Sequence, residues 1–398
     1  MTTLSSSAER APHEMSPTLV GLFSLSAGAI VANIYYAQPI IELIAPSIRL
    51  SPQGASLIVS LTQIGYALGL FFLVPLADLL ENRRLLIVTA LTAAASMLGA
   101  AFSATPGVFL LVSLLIGLSS VTVQMLIPLA AHLAPEASRG RVVGNIMSGL
   151  LLGILLARPL SSFLAQHFGW RAVFMFAAAM TLGTVGVIAT TLPRRVPEHR
   201  SSYGQLIASL WHLFTRFAVL RERALYQGLL FGVFSLFWTS VPIELSQHYG
   251  LAQEQIGLFA LVGALGAAAA PAAGRLADAG HTRAASLFAM VVAAVSLLPG
   301  LIGGAHGVIW LGLTGVALDF AVQMNMVLGQ RAVYALDAAS RGRLNALYMT
   351  SIFVGGAAGS AVASPLHNAM GWTGIVTGGG VLVLATIAAF LLHQRKQG

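Results

Sequence analysis

The chain has 398 residues, of which 57% are hydrophobic and only 9% charged, with a formal net charge of +8. Soluble globular chains are about half apolar and about a quarter charged, so this composition excludes an ordinary soluble protein. Several apolar runs reach the roughly 20 residues that a helix needs to cross a bilayer, which makes the chain polytopic and assigns its basic excess to membrane topology rather than to nucleic acid.

In chain order, a short polar start with Glu9, Arg10 and Glu14 runs into an apolar segment from Pro17. No small-residue cleavage site follows a short apolar core, so the reading is a first transmembrane helix and not a signal peptide. Breaks at charges, Gly, Pro and polar clusters then predict twelve spans: 17–41, 53–77, 85–103, 107–131, 142–165, 170–192, 224–247, 254–274, 284–303, 307–331, 343–366 and 372–392. This is an all-α membrane protein with a first bundle over 1–193, a linker over 194–223 and a second bundle over 224–398. The linker carries Arg194, Arg195, Arg200, Arg216, Arg221 and Arg223, and its middle, SYGQLIASLWHLFTRF, predicts a helix lying in the membrane interface.

The basic residues set the orientation. With a cytoplasmic N-terminus, Arg49 and Arg171 fall outside and Arg158 lies within the fifth span, which leaves 18 of the 21 Lys and Arg on the cytoplasmic side. That asymmetry predicts an inner-membrane protein with both termini in the cytoplasm. The halves also repeat. Leu76-Ala77-Asp78 matches Leu276-Ala277-Asp278, and Val123-Gln124-Met125 matches Val322-Gln323-Met324. Ser138-Arg139-Gly140-Arg141 matches Ser340-Arg341-Gly342-Arg343, and Gly169-Trp170 matches Gly371-Trp372. Two six-helix repeats are a transporter architecture, with the substrate site at midplane between them.

The loop PLADLLENRR (75–84), GLLLGILLARPLSS (149–162), FGWRAVF (168–174) and ANIYYAQP (32–39) carry a resemblance to the major facilitator superfamily, in particular its bacterial twelve-helix drug/proton antiporters. The resemblance covers nearly the whole chain. It implies that Asp78 caps and pairs at a cytoplasmic gate, with Arg83 and Arg84 beside it and Asp278 and Arg283 in the repeat. Arg83 and Arg84 serve topology as well. Val74 stands where the family has its first Gly, and Arg158-Pro159 stands where its fifth-helix signature has Gly-Pro. Ser113 occupies the place of the family's fourth-helix arginine, so relay schemes built on that arginine do not transfer.

Ionisable groups at bilayer depth are costly and are functional candidates. Asp319 is the one carboxylate near the middle of a span, and it is the candidate proton-coupling residue. Gln323, Met326 and Gln330 follow it on one helical face, over roughly 16 Å at 1.5 Å per residue. Ser113, Gly117, Ser120 and Gln124 form a matching stripe on the fourth span, and the two stripes are expected to face one cavity. Arg158 has three readings: it binds an anionic substrate, pairs with Asp319, or snorkels outward. Asn33, Tyr35, Tyr36, Gln38, Gln63, Tyr66, Trp238, Asn325 and Tyr348 complete the candidate substrate-binding set, since aromatic rings with amides suit an amphipathic organic ligand.

No histidine set has metal-ligand spacing. Lys396 is the sole lysine, so no P-loop lysine motif exists. No cofactor is expected, and without cysteine there are no disulfides. The expected function is secondary transport by alternating access in a monomer: proton-coupled export of a small organic compound or drug. The alternatives are a symporter or uniporter for a sugar, nucleoside or organic acid, and, from another class, a non-transporting receptor or membrane-embedded enzyme.

Overall fold

The computed structural model describes residues 16–136, 138–197, 202–302 and 306–395. Glu9, Arg10, Glu14, Arg200 and Lys396 lie outside them. The described residues are helices joined by short turns. Ten helices are long and apolar enough to cross a membrane. The first and eleventh spans complete twelve: the first is interrupted, and the eleventh, Arg341–Ala361, carries Asn345, Tyr348, Thr350, Ser351 and four glycines.

Local chemistry sets the ends of these helices. Ser16 caps Pro17–Ala32 by accepting from the Leu19 amide at 3.2 Å, and proline at the first helical position needs no partner for a missing N–H. Glu81 caps Asn82–Phe102, accepting from the amides of Arg83 at 3.1 Å and Arg84 at 3.2 Å. Its charge also suits the positive end of the helix dipole. The fifth and sixth spans, Arg139–Phe168 and Trp170–Thr191, meet at Gly169 with φ +82°, and the matching Gly371 has φ +60° between the last two spans. Both sit in the left-handed region that glycine enters without steric cost, which accounts for the repeated Gly-Trp.

Several spans are less regular than the apolar runs predict. The first stops at Ala32, turns through residues 33–37 and resumes as Ile41–Ser47. Pro39 supplies no N–H there, and Ser161 donates to the Tyr36 carbonyl at 2.5 Å, replacing part of the helical ladder. The fourth is divided into Pro106–Ser119 and Thr122–Leu133, and the eighth runs through a tight 3₁₀ stretch, Leu261–Ala268. The seventh begins at Ala218, six residues before its predicted start, so the residues 218–223 assigned to the linker are helix.

The linker holds the predicted amphipathic helix, Tyr203–Arg216. Ser202 and Gln205 form a reciprocal capping box, and Arg221 donates to the carbonyls of Phe214 and Thr215 at the other end. Leu206, Leu210 and Leu213 are buried while Trp211 is exposed. Tyr203 donates to the Phe72 carbonyl of the second span at 2.9 Å, and Arg343 of the eleventh donates to Ser209 at 3.0 Å. The linker helix thus touches both bundles at one end of the molecule, called here the linker end.

Small residues bring helices together inside each bundle. Gly28 of the first span packs on the backbone of Gly149 and Gly153 in the fifth, and Gly228 of the seventh packs on Gly355 in the eleventh. A side chain at Gly28, Gly149, Gly153 or Gly355 would overlap the partner's backbone, and one at Gly228 would press on the Ser351 carbonyl. The bundles join each other between midplane and the far end. Ser56 and Ser364 exchange amide-to-hydroxyl bonds at 3.1 and 3.2 Å, and Ser60 donates to the Ala357 carbonyl at 2.8 Å. Gln247 donates to Glu42 at 2.7 Å, and Gln253 to the Pro39 carbonyl at 2.6 Å and Ser162 at 3.1 Å.

Candidate functional site

Three side chains from different spans meet where the bundles touch. Asp319 lies on the tenth span, Gly307–Tyr334, and accepts from Trp238 Nε1 of the seventh at 2.7 Å through Oδ1. Its second oxygen has no hydrogen-bond partner among the described residues. Arg158 of the fifth span places its guanidinium over the other side of this contact: 4.8 Å from the Trp238 ring centre, 5.1 Å from Tyr35 and 5.8 Å from Phe234. Its Nε donates to Gln38 Oε1 at 2.8 Å, and Gln38 in turn donates to Thr239 at 3.3 Å.

The order is therefore Arg158, indole, Asp319. Salt bridges form elsewhere, Asp278–Arg331 and Glu244–His367, and none joins Arg158 to Asp319 among the described residues. Nor does it snorkel: it is 7% exposed and held among rings. Cation–ring attraction is strongest when desolvated, and a cation on the indole face polarises the N–H toward its acceptor.

Glycine makes room for this cluster. A β-carbon at Gly263 of the eighth span would stand 2.5 Å from Asp319 Oδ2 and 2.7 Å from the Trp238 ring, and one at Gly266 would overlap Asp319 itself. Neither residue was among the sequence candidates, nor was Phe234. A signal existed: Gly263 and Gly266 stand 200 positions after Gln63 and Tyr66, so the repeat replaces two polar side chains by none.

The remaining candidates divide. Gln323 and Gln330 are partly exposed along the Asp319 face, and Gln330 donates to Tyr334 at 2.9 Å and Asn345 at 3.2 Å. Gln63 joins the bundles, donating to Ser235 at 2.9 Å and accepting from Ser360 at 3.3 Å. Gln124 donates to the Tyr66 hydroxyl at 3.0 Å, and the Tyr66 ring lies 4.5 Å from Phe353. Asn33 donates to Thr181 at 3.1 Å between the first and sixth spans, while Tyr36 is buried with its carbonyl held by Ser161.

Three sets of candidates lie apart from this cluster. Asn325 is fully buried away from the Asp319 face and donates to Gln227 at 2.7 Å, holding the seventh and tenth spans together. Tyr348 is fully buried against Gly329, with its hydroxyl on the Met326 carbonyl at 3.3 Å. The stripe on the fourth span does not open onto a cavity. Ser113 and Ser120 are buried and bond carbonyls of their own helix at 2.8 and 2.6 Å, and Gly117 packs on the second span at Thr62. Only Gln124 of that stripe is partly exposed.

The charged loops work within their own bundles. Asp78 is exposed and has no hydrogen-bond or ion-pair partner among the described residues. Arg83 donates to the Ala189 carbonyl of the sixth span, and Glu81 caps the helix that carries Arg83 and Arg84. Asp278 pairs with Arg331 at 2.5 Å, both in the second bundle, and Arg283 lies in the first turn of the ninth span, Thr282–Ser296. The bond across the bundles that the family resemblance implies for Asp78 is not made in this state.

The profile of the Major Facilitator Superfamily matches residues 22–239 and again 223–398. The chain is similar to the uncharacterized transporter YgaY of Escherichia coli O157:H7, at 40% identity over 97% of this chain and 98% of that one. Among solved structures it resembles a mutant form of the nucleoside transporter NupG, with a TM-score of 0.74 and 14% identity over 94% of this chain and 99% of that one. It also resembles a bacterial homolog of the human lysosomal transporter Spinster in an inward-facing, unoccupied conformation, with a TM-score of 0.71 and 13% identity over 95% and 96%. At those identities the solved structures speak for the fold alone. The chain belongs to the major facilitator superfamily and is a multi-pass membrane transporter.

Proposed function

We propose that this transporter exports a small organic compound across the bacterial inner membrane in exchange for protons, as a monomer, with Asp319 as the proton-carrying group. One observation carries the reading. Asp319 is a carboxylate at bilayer depth with one oxygen held by Trp238 and the other without a protein partner. An isolated charge at that depth is costly, and a proton on the free oxygen removes that cost. Gln323 and Gln330 extend the same face and offer amides to a substrate beside the acid. With the linker end taken as cytoplasmic, the bonds at the far end close the external side, which makes this a cytoplasm-facing state. Asp78, free here, is the gate residue for the opposite state.

A second reading is uptake of an organic anion together with a proton. It is favoured by Arg158, since a cation over the face of one indole and an acid at its N–H edge can take an anion and a proton without net charge. Proteoliposomes decide between them. Under the export reading, an inwardly acidic gradient drives accumulation of substrate from the opposite compartment, and Asp319→Asn loses gradient-driven movement while keeping substrate exchange. Gradient-driven transport at the wild-type rate in Asp319→Asn would remove Asp319 from coupling, and co-directional movement of proton and substrate would replace export by uptake.

A further inference from the structure

We infer that Arg158 forms an anion subsite which takes the carboxylate of an organic substrate. The inference rests on the central cluster being the substrate site and names the class of molecule it accepts. A guanidinium has five N–H donors, and in Arg158 the single one bonded is Nε–H, to Gln38. Nη2 is buried with no acceptor in the protein, and the side chain is 93% covered. Asp319, the nearest acid, spends its contact on Trp238. The planar Nη edge is therefore an open fork of the kind that receives a carboxylate in two parallel hydrogen bonds.

The surroundings choose among anions. The small cavity that Arg158 lines is walled by Pro39, Val241, Pro242, Leu245, Ile256 and Phe259. Tyr35, Phe234 and Trp238 ring the guanidinium. None of these walls offers a further charged donor. A halide or phosphate would surrender water on every side and regain partners on one. A carboxylate on an apolar or aromatic body has a single polar end to satisfy and meets apolar walls with the rest. The cavity as it stands has room for about one water, so the bundles move apart to admit the body. Arg158 also faces rings from both bundles, Tyr35 from the first and Phe234 and Trp238 from the second, so an anion seated there touches both moving parts.

Equilibrium binding to the purified protein, without any gradient, tests this independently of proton coupling. The probes are benzoate, phenylacetate and hexanoate, with benzamide and benzylammonium as neutral and cationic counterparts, and sodium chloride at matched ionic strength. The carboxylates are expected to bind and to raise the melting temperature, while the amide, the ammonium and chloride do not. Arg158→Gln should weaken carboxylate binding by roughly tenfold or more, and Arg158→Lys should keep part of it, as a point charge without the fork. The inference is overturned if no carboxylate binds, if benzamide binds as well as benzoate, if chloride alone reproduces the stabilisation, or if Arg158→Gln binds benzoate like wild type. Should Arg158→Gln not fold, benzoate, benzamide and benzylammonium on the wild-type protein decide.

Discussion

At the far end, Ser56 and Ser364 exchange hydrogen bonds across the two bundles, and Gln253 reaches both Pro39 and Ser162. At the linker end, Asp278 pairs with Arg331 of its own bundle, Arg83 holds Ala189, and Asp78 holds nothing. Apart from Gln247 on Glu42, neutral groups thus bind the halves together at the far end, and the charged groups at the linker end stay inside one half. Uncharged hydrogen bonds are worth about 0.5–1.5 kcal/mol net, which makes them suitable for a seam that must break in each cycle. Exposed ion pairs add about 0–1 kcal/mol and can remain near water throughout.

The largest expected effect comes from blocking the seam. A β-carbon at Gly257 would stand 2.5 Å from the Ser162 β-carbon and 3.1 Å from Pro159 Cα, so Gly257→Val should wedge the far end apart and abolish transport in a folded protein. The chain has no cysteine, so Thr239→Cys gives a single labelling site beneath the seam. An impermeant maleimide added from the far side should label it quickly in the Gly257→Val background and slowly otherwise. Equal labelling in both would mean that this seam is not the external gate.

A smaller shift is expected from Gln63→Leu, which removes its bonds to Ser235 and Ser360. Two lost bonds at about 1 kcal/mol each correspond to roughly a tenfold or larger shift away from the closed seam, read by the same labelling rate. Unchanged labelling would show that the apolar contacts alone hold the second and eleventh spans together.

At the linker end the two aspartates should separate. Under the proposed gate role in the opposite state, Asp78→Asn is expected to leave the melting temperature unchanged and to cut transport several-fold. Asp278→Asn breaks an exposed pair and should lower stability by at most about 1 kcal/mol, the smallest effect of the series. Transport at the wild-type rate in Asp78→Asn would assign that loop to topology.

Much of the fold was legible because apolar length and repeat spacing are one-dimensional properties. The twelve spans, the amphipathic linker helix and the Gly-Trp turns all follow from them. The site was legible only in part. Spacing placed Ser113, Gly117 and Ser120 on one face, and that much is true of any helix, but it does not say which neighbour the face meets. Serines in membrane helices satisfy themselves on the preceding turn, and Gly117 is needed for the approach of the second span. Asp319 announced itself through cost. Its link to Arg158 did not, since an indole standing between two charges is a fact of three chain segments at once.

The glycine contacts carry a mechanical consequence. Gly28 against Gly153 and Gly228 against Gly355 are equivalent places in the two repeats, 200 and 202 positions apart. Backbones in direct contact have no side chains to shear, so neither helix pair can slip along its neighbour without clash. Under the proposed exchange, each half tips as a stiff lever, with the cluster of Arg158, Trp238 and Asp319 at the contact between them. A displacement of a fraction of an ångström at that contact, such as a proton or an anion would cause, is multiplied by the length of the helices before it reaches either mouth.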